Sequence, residues 1–203
     1  MSYPCVDPTY FDSPSGVLSP KRQYQLAHRA SATAGGATFT PASNPSPGTV
    51  LFTTNVSWLN NTGVTQRVYA QMTQGAVRYQ IDALKHLVIR YQWGTSFGVA
   101  PADPTLTEES RIRGLVDAGT TTVSSTNVAI YVLLEDRQPP ISFPIGDLIT
   151  LPAGQTVKAR CQVSWQTDAW GLNWYSGYGD PIPHRIGKVG PVKLDLFSVP
   201  VIP

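Results

Sequence analysis

Val50 to Met72 reads VLFTTNVSWLNNTGVTQRVYAQM, and its first nine residues alternate. Val50, Phe52, Val56 and Trp58 fall on one side of an extended chain, with Leu51, Thr53, Asn55 and Ser57 on the other. That period of two marks a half-buried strand. Asn60-Asn-Thr-Gly63 follows, residues that tolerate turn geometry and positive φ. Beyond the turn, Val64, Val68, Ala70 and Met72 alternate with Thr65, Arg67, Tyr69 and Gln71. Two alternating runs around a short polar turn predict a β-hairpin.

The same pattern recurs along the chain. Val128, Ile130, Val132 and Leu134 alternate before a break at Gln138-Pro139-Pro140. A turn at Pro152 to Gly154 leads into Val157, Ala159, Cys161, Val163 and Trp165 facing inward, with Lys158, Arg160, Gln162 and Ser164 facing outward. Val192, Leu194 and Leu196 make a last strand. Between Ala76 and Gly94, Val77, Ile81, Leu84, Val88 and Tyr91 fit a helical stripe, while Leu87, Ile89, Tyr91 and Trp93 fit a strand. The β-branched and aromatic second half favours strand, with two strands or a bend across the whole. Thr107 before Glu108-Glu109 reads as a short helix start or as the approach to a strand from Arg111 to Val116. Six to eight strands of this kind predict an all-β protein: an antiparallel β-sandwich, immunoglobulin-like or jelly-roll.

Residues 1–48 have a different texture. Seven prolines and the small-residue run ASATAGGA at 30–37 disfavour helix and sheet, yet Tyr3, Tyr10, Phe11, Val17, Leu18, Tyr24 and Leu26 are apolar anchors in need of a surface. The expected organisation is an extended N-terminal arm over 1–48 and a sandwich over 49–203, with an aromatic-rich loop at about 165–188. The arm lies either on a neighbouring subunit or back across its own domain.

Composition bounds the function. A chain of 203 residues suits one cored domain with appendages. Charged residues make up 14%, against about 25% in an average soluble domain, so the surface resembles that of an extracellular β protein or of one packed against other copies. The net charge of +2, with no basic run longer than Lys21-Arg22, argues against nucleic-acid binding. No stretch reaches the roughly 18 to 20 apolar residues of a membrane helix, and the N-terminus lacks a signal-peptide pattern. The expectation is synthesis in the cytoplasm without membrane insertion. Cys5 and Cys161 are then two free thiols, Cys161 buried, and the glycosylation patterns at Asn55 and Asn60 are chance matches.

Catalytic chemistry finds little support. His28, His86 and His184 stand in no hydrolase motif. Glu108-Glu109 and Glu135-Asp136 are sequence neighbours, which on a strand point to opposite faces. No phosphate-binding glycine loop or metal-ligand spacing is present. The reading is a non-enzymatic protein without cofactor or metal. The compositional outlier is WQTDAWGLNWYSGYGDPIPHR at 165–185, which gathers Trp165, Trp170, Trp174, Tyr175 and Tyr178. Its rings suit a glycan platform, a protein interface or a lid over the sandwich end.

The start MSYPCVDPTYF, the proline-rich arm, the hairpin SWLNNTGVTQRVYAQMT and the strand LPAGQTVKARCQVSW together resemble the small β-rich virion structural proteins, especially minor tail proteins, of tailed phages that infect actinobacteria. The resemblance implies a structural component of the phage tail or tail tip, assembled with copies of itself and with other virion proteins. It supplies no catalytic residues. Two alternatives stand beside it: a capsid decoration protein, and a carbohydrate-binding module that recognises host cell-wall glycan through Trp170, Trp174, Tyr175 and Tyr178.

Overall fold

The computed structural model describes residues 11–12, 19–20, 25–40, 48–82, 86–115, 131–132, 141–166 and 186–201. Every regular element among them is a strand: β1 Phe11–Asp12, β2 Ser19–Pro20, β3 Ala27–Ala34, β4 Ala37–Phe39, β5 Thr49–Leu59, β6 Gln66–Gln74, β7 Val77–Asp82, β8 His86–Gly98, β9 Glu108–Leu115, β10 Tyr131–Val132, β11 Ile141–Leu151, β12 Thr156–Gln166, β13 Ile186–Val189 and β14 Val192–Pro200. All pairings are antiparallel.

Eight strands build the sandwich. One sheet has the order β11-β6-β14-β3, and the other β5-β12-β8-β9. β11 lies over β8 and β3 over β5, so the inner faces meet around a single core. The first long strand pairs with the last, β3 with β14; inside that pair lie β5 with β12, then β6 with β11, and innermost β8 with β9. An antiparallel ribbon nested in this way and rolled into two sheets is a jelly roll. The strand order thus selects between the two sandwich types that periodicity allows.

Alternation decides which side chains enter. Val68, Ala70 and Met72 of β6, Ile89, Tyr91 and Trp93 of β8, and Val157, Ala159, Cys161 and Val163 of β12 are all buried. The ambiguous segment is two strands, β7 and β8, and the one after Thr107 is strand β9. β5 departs from simple alternation because its register with β12 slips between Val163 opposite Phe52 and Ser164 opposite Val50. That bulge inserts Leu51 and exchanges the faces. Leu51 therefore packs against the core, while Val50, expected inside, is 49% exposed.

A larger correction concerns the arm. Residues 27–34, expected to lie outside the sandwich, form β3 and pair with β14 from Ala34 opposite Val192 to Ala27 opposite Ser198. The segment looked structureless because Ala, Ser and Thr give little polar contrast. Those small side chains let the edge of one sheet close on the other: Ala30 and Ala32 pack against the core, and the Arg29 guanidinium sits 5.1 Å from the centre of the Trp58 ring on β5. The sandwich begins by residue 27, not at 49.

A third sheet, β10-β7-β13-β4, continues the first. β3 runs into β4, β6 into β7 and β13 into β14, and the three breaks carry Gly36, Gly75 and Gly190. There the backbones approach too closely for side chains: a Cβ on Gly36 would strike the Val189 carbonyl, and one on Gly75 would lie 2.5 Å from the Pro191 carbonyl oxygen. Past this glycine belt, Phe39 of β4 stacks on Trp165 of β12 with ring centres 4.8 Å apart, and Val77 and Val189 join the core. Trp165 is consequently a core residue and not part of an exposed aromatic cluster.

Candidate functional site

Most of the residues singled out from sequence lie outside the described residues: Tyr3, Tyr10, Val17, Leu18 and Tyr24 of the arm, Trp170, Trp174, Tyr175 and Tyr178 of the aromatic segment, and Cys5, His184, Glu135 and Asp136. Phe11 is placed by its backbone, in β1 opposite Pro20 of β2. His86 occupies β8 opposite Leu115, and Glu108 and Glu109 occupy β9 opposite Trp93 and Gln92.

Within the described residues three polar groupings form. The first is a seam across the sandwich end that holds the β5–β6 turn. Asn60 is fully buried. Its Nδ2 donates to the carbonyls of Val64 and Leu151, each at 2.9 Å, and its Oδ1 accepts from the Thr62 amide at 3.2 Å and the Thr62 hydroxyl at 2.7 Å. Its backbone bonds reciprocally with the β11–β12 turn, donating to the Gln155 carbonyl and accepting from the Gly154 amide. Gln66, also fully buried, donates to Thr62 Oγ1 and accepts from Ser198 Oγ, which in turn accepts from Arg29 Nε. Both hydrogens of the Asn60 amide are committed, so this side chain is a structural tie. The sequence shows it only as a turn residue.

The second grouping lies on the outward face of the β11-β6-β14-β3 sheet. Asp195 accepts from His28 Nε2 at 2.8 Å and pairs with Lys193 Nζ at 2.9 Å. A histidine held by a carboxylate is half of a nucleophile-activating system, but the other half is a hydroxyl or thiol on the second ring nitrogen. Among the described residues none is bonded there. The His28 ring instead packs edge-on to Phe197, with centres 5.3 Å apart, and Phe197 stacks on Tyr69 at 5.2 Å. The Asp195 carboxylate is only 8% exposed and is neutralised in place.

The third is a shallow cleft of about 160 Å³ on the outward face of the other sheet, between the 99–107 loop and strands β5 and β12, lined by Asn55, Ser57, Asp103, Pro104 and Lys158 among others. Asp103 and Lys158 close it with an ion pair at 3.0 Å. Its polar groups could hydrogen-bond a small ligand, but its one charged pair is already satisfied. Among the described residues no three His, Cys, Asp or Glu side chains converge as metal ligands would.

Two core groups carry shifted acidities. Burial pushes the Cys161 thiol up to about 12, which leaves it protonated and inert at neutral pH; it is buried, as expected. Burial, and secondarily Cys161, pushes the Tyr91 hydroxyl up as well. That hydroxyl finds no hydrogen-bond partner among the described residues, and an unsatisfied buried polar group costs about 1–3 kcal/mol. Tyr91→Phe is therefore expected to raise unfolding stability by about 1 kcal/mol, read as a higher urea midpoint at unchanged m-value. A drop in stability would mean that the hydroxyl is bonded.

The fold and these groupings define a jelly-roll protein whose buried polar side chains largely tie its own turns and strands together. The chain belongs to the family described as a domain of unknown function, DUF7172, whose model matches residues 1–201. No curated protein matches it. Among solved structures, that of infectious bursal disease virus, Gx strain, is similar at 11% identity with a TM-score of 0.19. The match takes in 92% of this chain and 43% of that one. This chain thus corresponds to less than half of that protein's length, and the overlap is too low to bear on fold or function.

Proposed function

We propose that the protein is a structural component of a phage virion, a minor tail or tail-tip subunit that assembles with copies of itself and with other virion proteins. The observation that carries this reading is the use of its buried polar groups: Asn60, Gln66, Ser198 and Asp195 are bonded to turns, strands and neighbouring side chains, as in a scaffold. The sparse surface charge and the resemblance of the hairpin and of the Pro152–Trp165 strand to virion proteins agree with it. Fold alone does not decide the matter, since jelly rolls serve capsids, lectins and enzymes alike.

The corrected start of the sandwich sharpens the test. Deleting residues 1–24 leaves β3 intact, so the truncated chain is expected to fold with an unchanged thermal midpoint and to fail to enter particles. Deleting residues 1–48 removes β3 and β4, uncovers Ala30, Ala32 and the Trp58 ring, and is expected to abolish folding. A folded chain without residues 1–24 that enters particles normally would remove the assembly role of the arm. A monomeric full chain that binds purified cell-wall polysaccharide and is absent from particles would favour the carbohydrate-binding module instead.

A further inference from the structure

The outward face of the β11-β6-β14-β3 sheet is unlike an ordinary solvated face. In register across it stand Ser142, Thr73, Lys193 and Thr33 in one row, and Pro144, Gln71, Asp195 and Ser31 in the next. The third row is apolar: Tyr69, Phe197 and His28, their rings in continuous contact. At the β11 end of that row the register slips between Ile145 and Ile149, and the looped-out residues expose Leu148 to 57%.

The charges on this face balance. His28 and Lys193 meet Asp195 within the face, and the remaining exposed pair is one cation, Arg67, and one carboxylate at the rim, Asp147. A neutral surface with an aromatic centre, small flat surroundings and one charge of each sign complements neither a polyanion nor a polycation. It complements a copy of itself. By contrast, the outward face of the other sheet is partly covered by its own chain, the 99–107 loop, with Ser96 Oγ donating to the Ala102 carbonyl and Lys158 paired to Asp103. Size is also adequate. Strands about 4.8 Å apart with a rise of about 3.4 Å per residue give four strands of about eight residues an area of about 500 Å². Two copies would then bury about 1,000 Å² in total, near the lower bound for a specific interface.

We propose that this face, centred on the Tyr69–Phe197 stack, is the surface through which the chain associates with a second copy of itself. The inference rests on the reading of the protein as an assembling subunit and names the surface it uses. Tyr69 and Phe197 are the anchors, and the His28–Asp195–Lys193 cluster keeps the anchor row free of unpaired charge.

Sedimentation equilibrium of the full chain over a hundredfold concentration range tests it, with two variants. Phe197→Glu places a carboxylate in the anchor row. Thr73→Arg adds a charge to the flat part of the face without touching the stack, and so serves if Phe197→Glu does not fold. The wild-type chain is expected to be an oligomer, and the variants that retain the wild-type thermal midpoint are expected to weaken association at least tenfold. A wild-type chain that stays monomeric, or folded variants that associate as it does, overturns the inference. The two readings separate in particles. A monomeric chain still incorporated there overturns this surface and leaves the virion role standing, whereas an oligomer broken by these variants but absent from particles supports the surface and removes the virion role.

Discussion

Asn60→Ala is expected to lower the stability of the fold by about 2–3 kcal/mol. The side chain is fully buried and makes four hydrogen bonds, two of them to carbonyls on different strands and turns. Removing it strands the buried Leu151 carbonyl away from water, and a buried group left without a partner costs about 1–3 kcal/mol. The Thr62 hydroxyl keeps its bond to Val64, so the loss concentrates at Leu151, where β11 turns into β12. Asn60→Asp is the sharper variant: it keeps the shape and the acceptor, removes both donors and buries a charge. Urea unfolding at neutral pH should rank wild type above Asn60→Ala, and Asn60→Ala at or above Asn60→Asp. A loss below about 1 kcal/mol for Asn60→Ala would be that of an ordinary exposed turn residue and would contradict the role assigned to it.

Gly75→Ala is expected to cost about 3 kcal/mol, at the upper end for overpacking. A Cβ at this position would meet the backbone of the facing Gly190–Pro191 segment, the Pro191 carbonyl oxygen at 2.5 Å and the Gly190 carbonyl carbon and Cα at 2.6 and 2.7 Å. Backbone cannot swing aside as a side chain can, so relief requires the central strands to part where the first sheet turns into the third. Gly35→Ala is the matched control. Its Cβ would have nothing within 4 Å, and the change should stay within about 0.5 kcal/mol. Equal costs at the two positions would show that the belt is not a line of close contact.

The sequence made the strands legible where alternation and contrast coincide. β6, β12 and β14 bury the side chains expected of them, because Val, Leu, Met and Cys alternate there with Lys, Arg, Gln and Thr. β3 was invisible because alanine and serine differ too little in polarity to mark a face, and its burial comes from a partner about 160 residues away, as in Ala32 opposite Leu194. β11 was missed for the opposite reason. Pro144 and the looped-out Gly146 to Leu148 interrupt its period, and edge strands and bulges tolerate such residues. Bulges also account for Val50 and Leu51, since a one-residue slip in pairing leaves no mark on the strand that contains it.

The candidate groupings were less legible than the fold. His28, Asp195 and Lys193 meet only because β3 closes the ribbon against β14. A strand pattern assigns Asp195 to solvent, and nothing near it in sequence announces a histidine from the other end of the chain. Asn60 appeared as a turn former, and its tie to Leu151 depends on the adjacency of two turns that the jelly-roll order creates. The aromatic stack was hidden in the same way, since Tyr69 and Phe197 are single aromatic residues on strands far apart in sequence and become a pair only in register.

The central claim is that the chain is a structural part of a virion. Quantitative peptide mass spectrometry of purified particles, from a lysate in which the chain is expressed at its native locus, tests it most directly. The account predicts peptides from both the segment before residue 25 and the sandwich, at a fixed ratio of several copies per particle that survives gradient purification. A chain abundant in the lysate but lost from the particles on purification would contradict it.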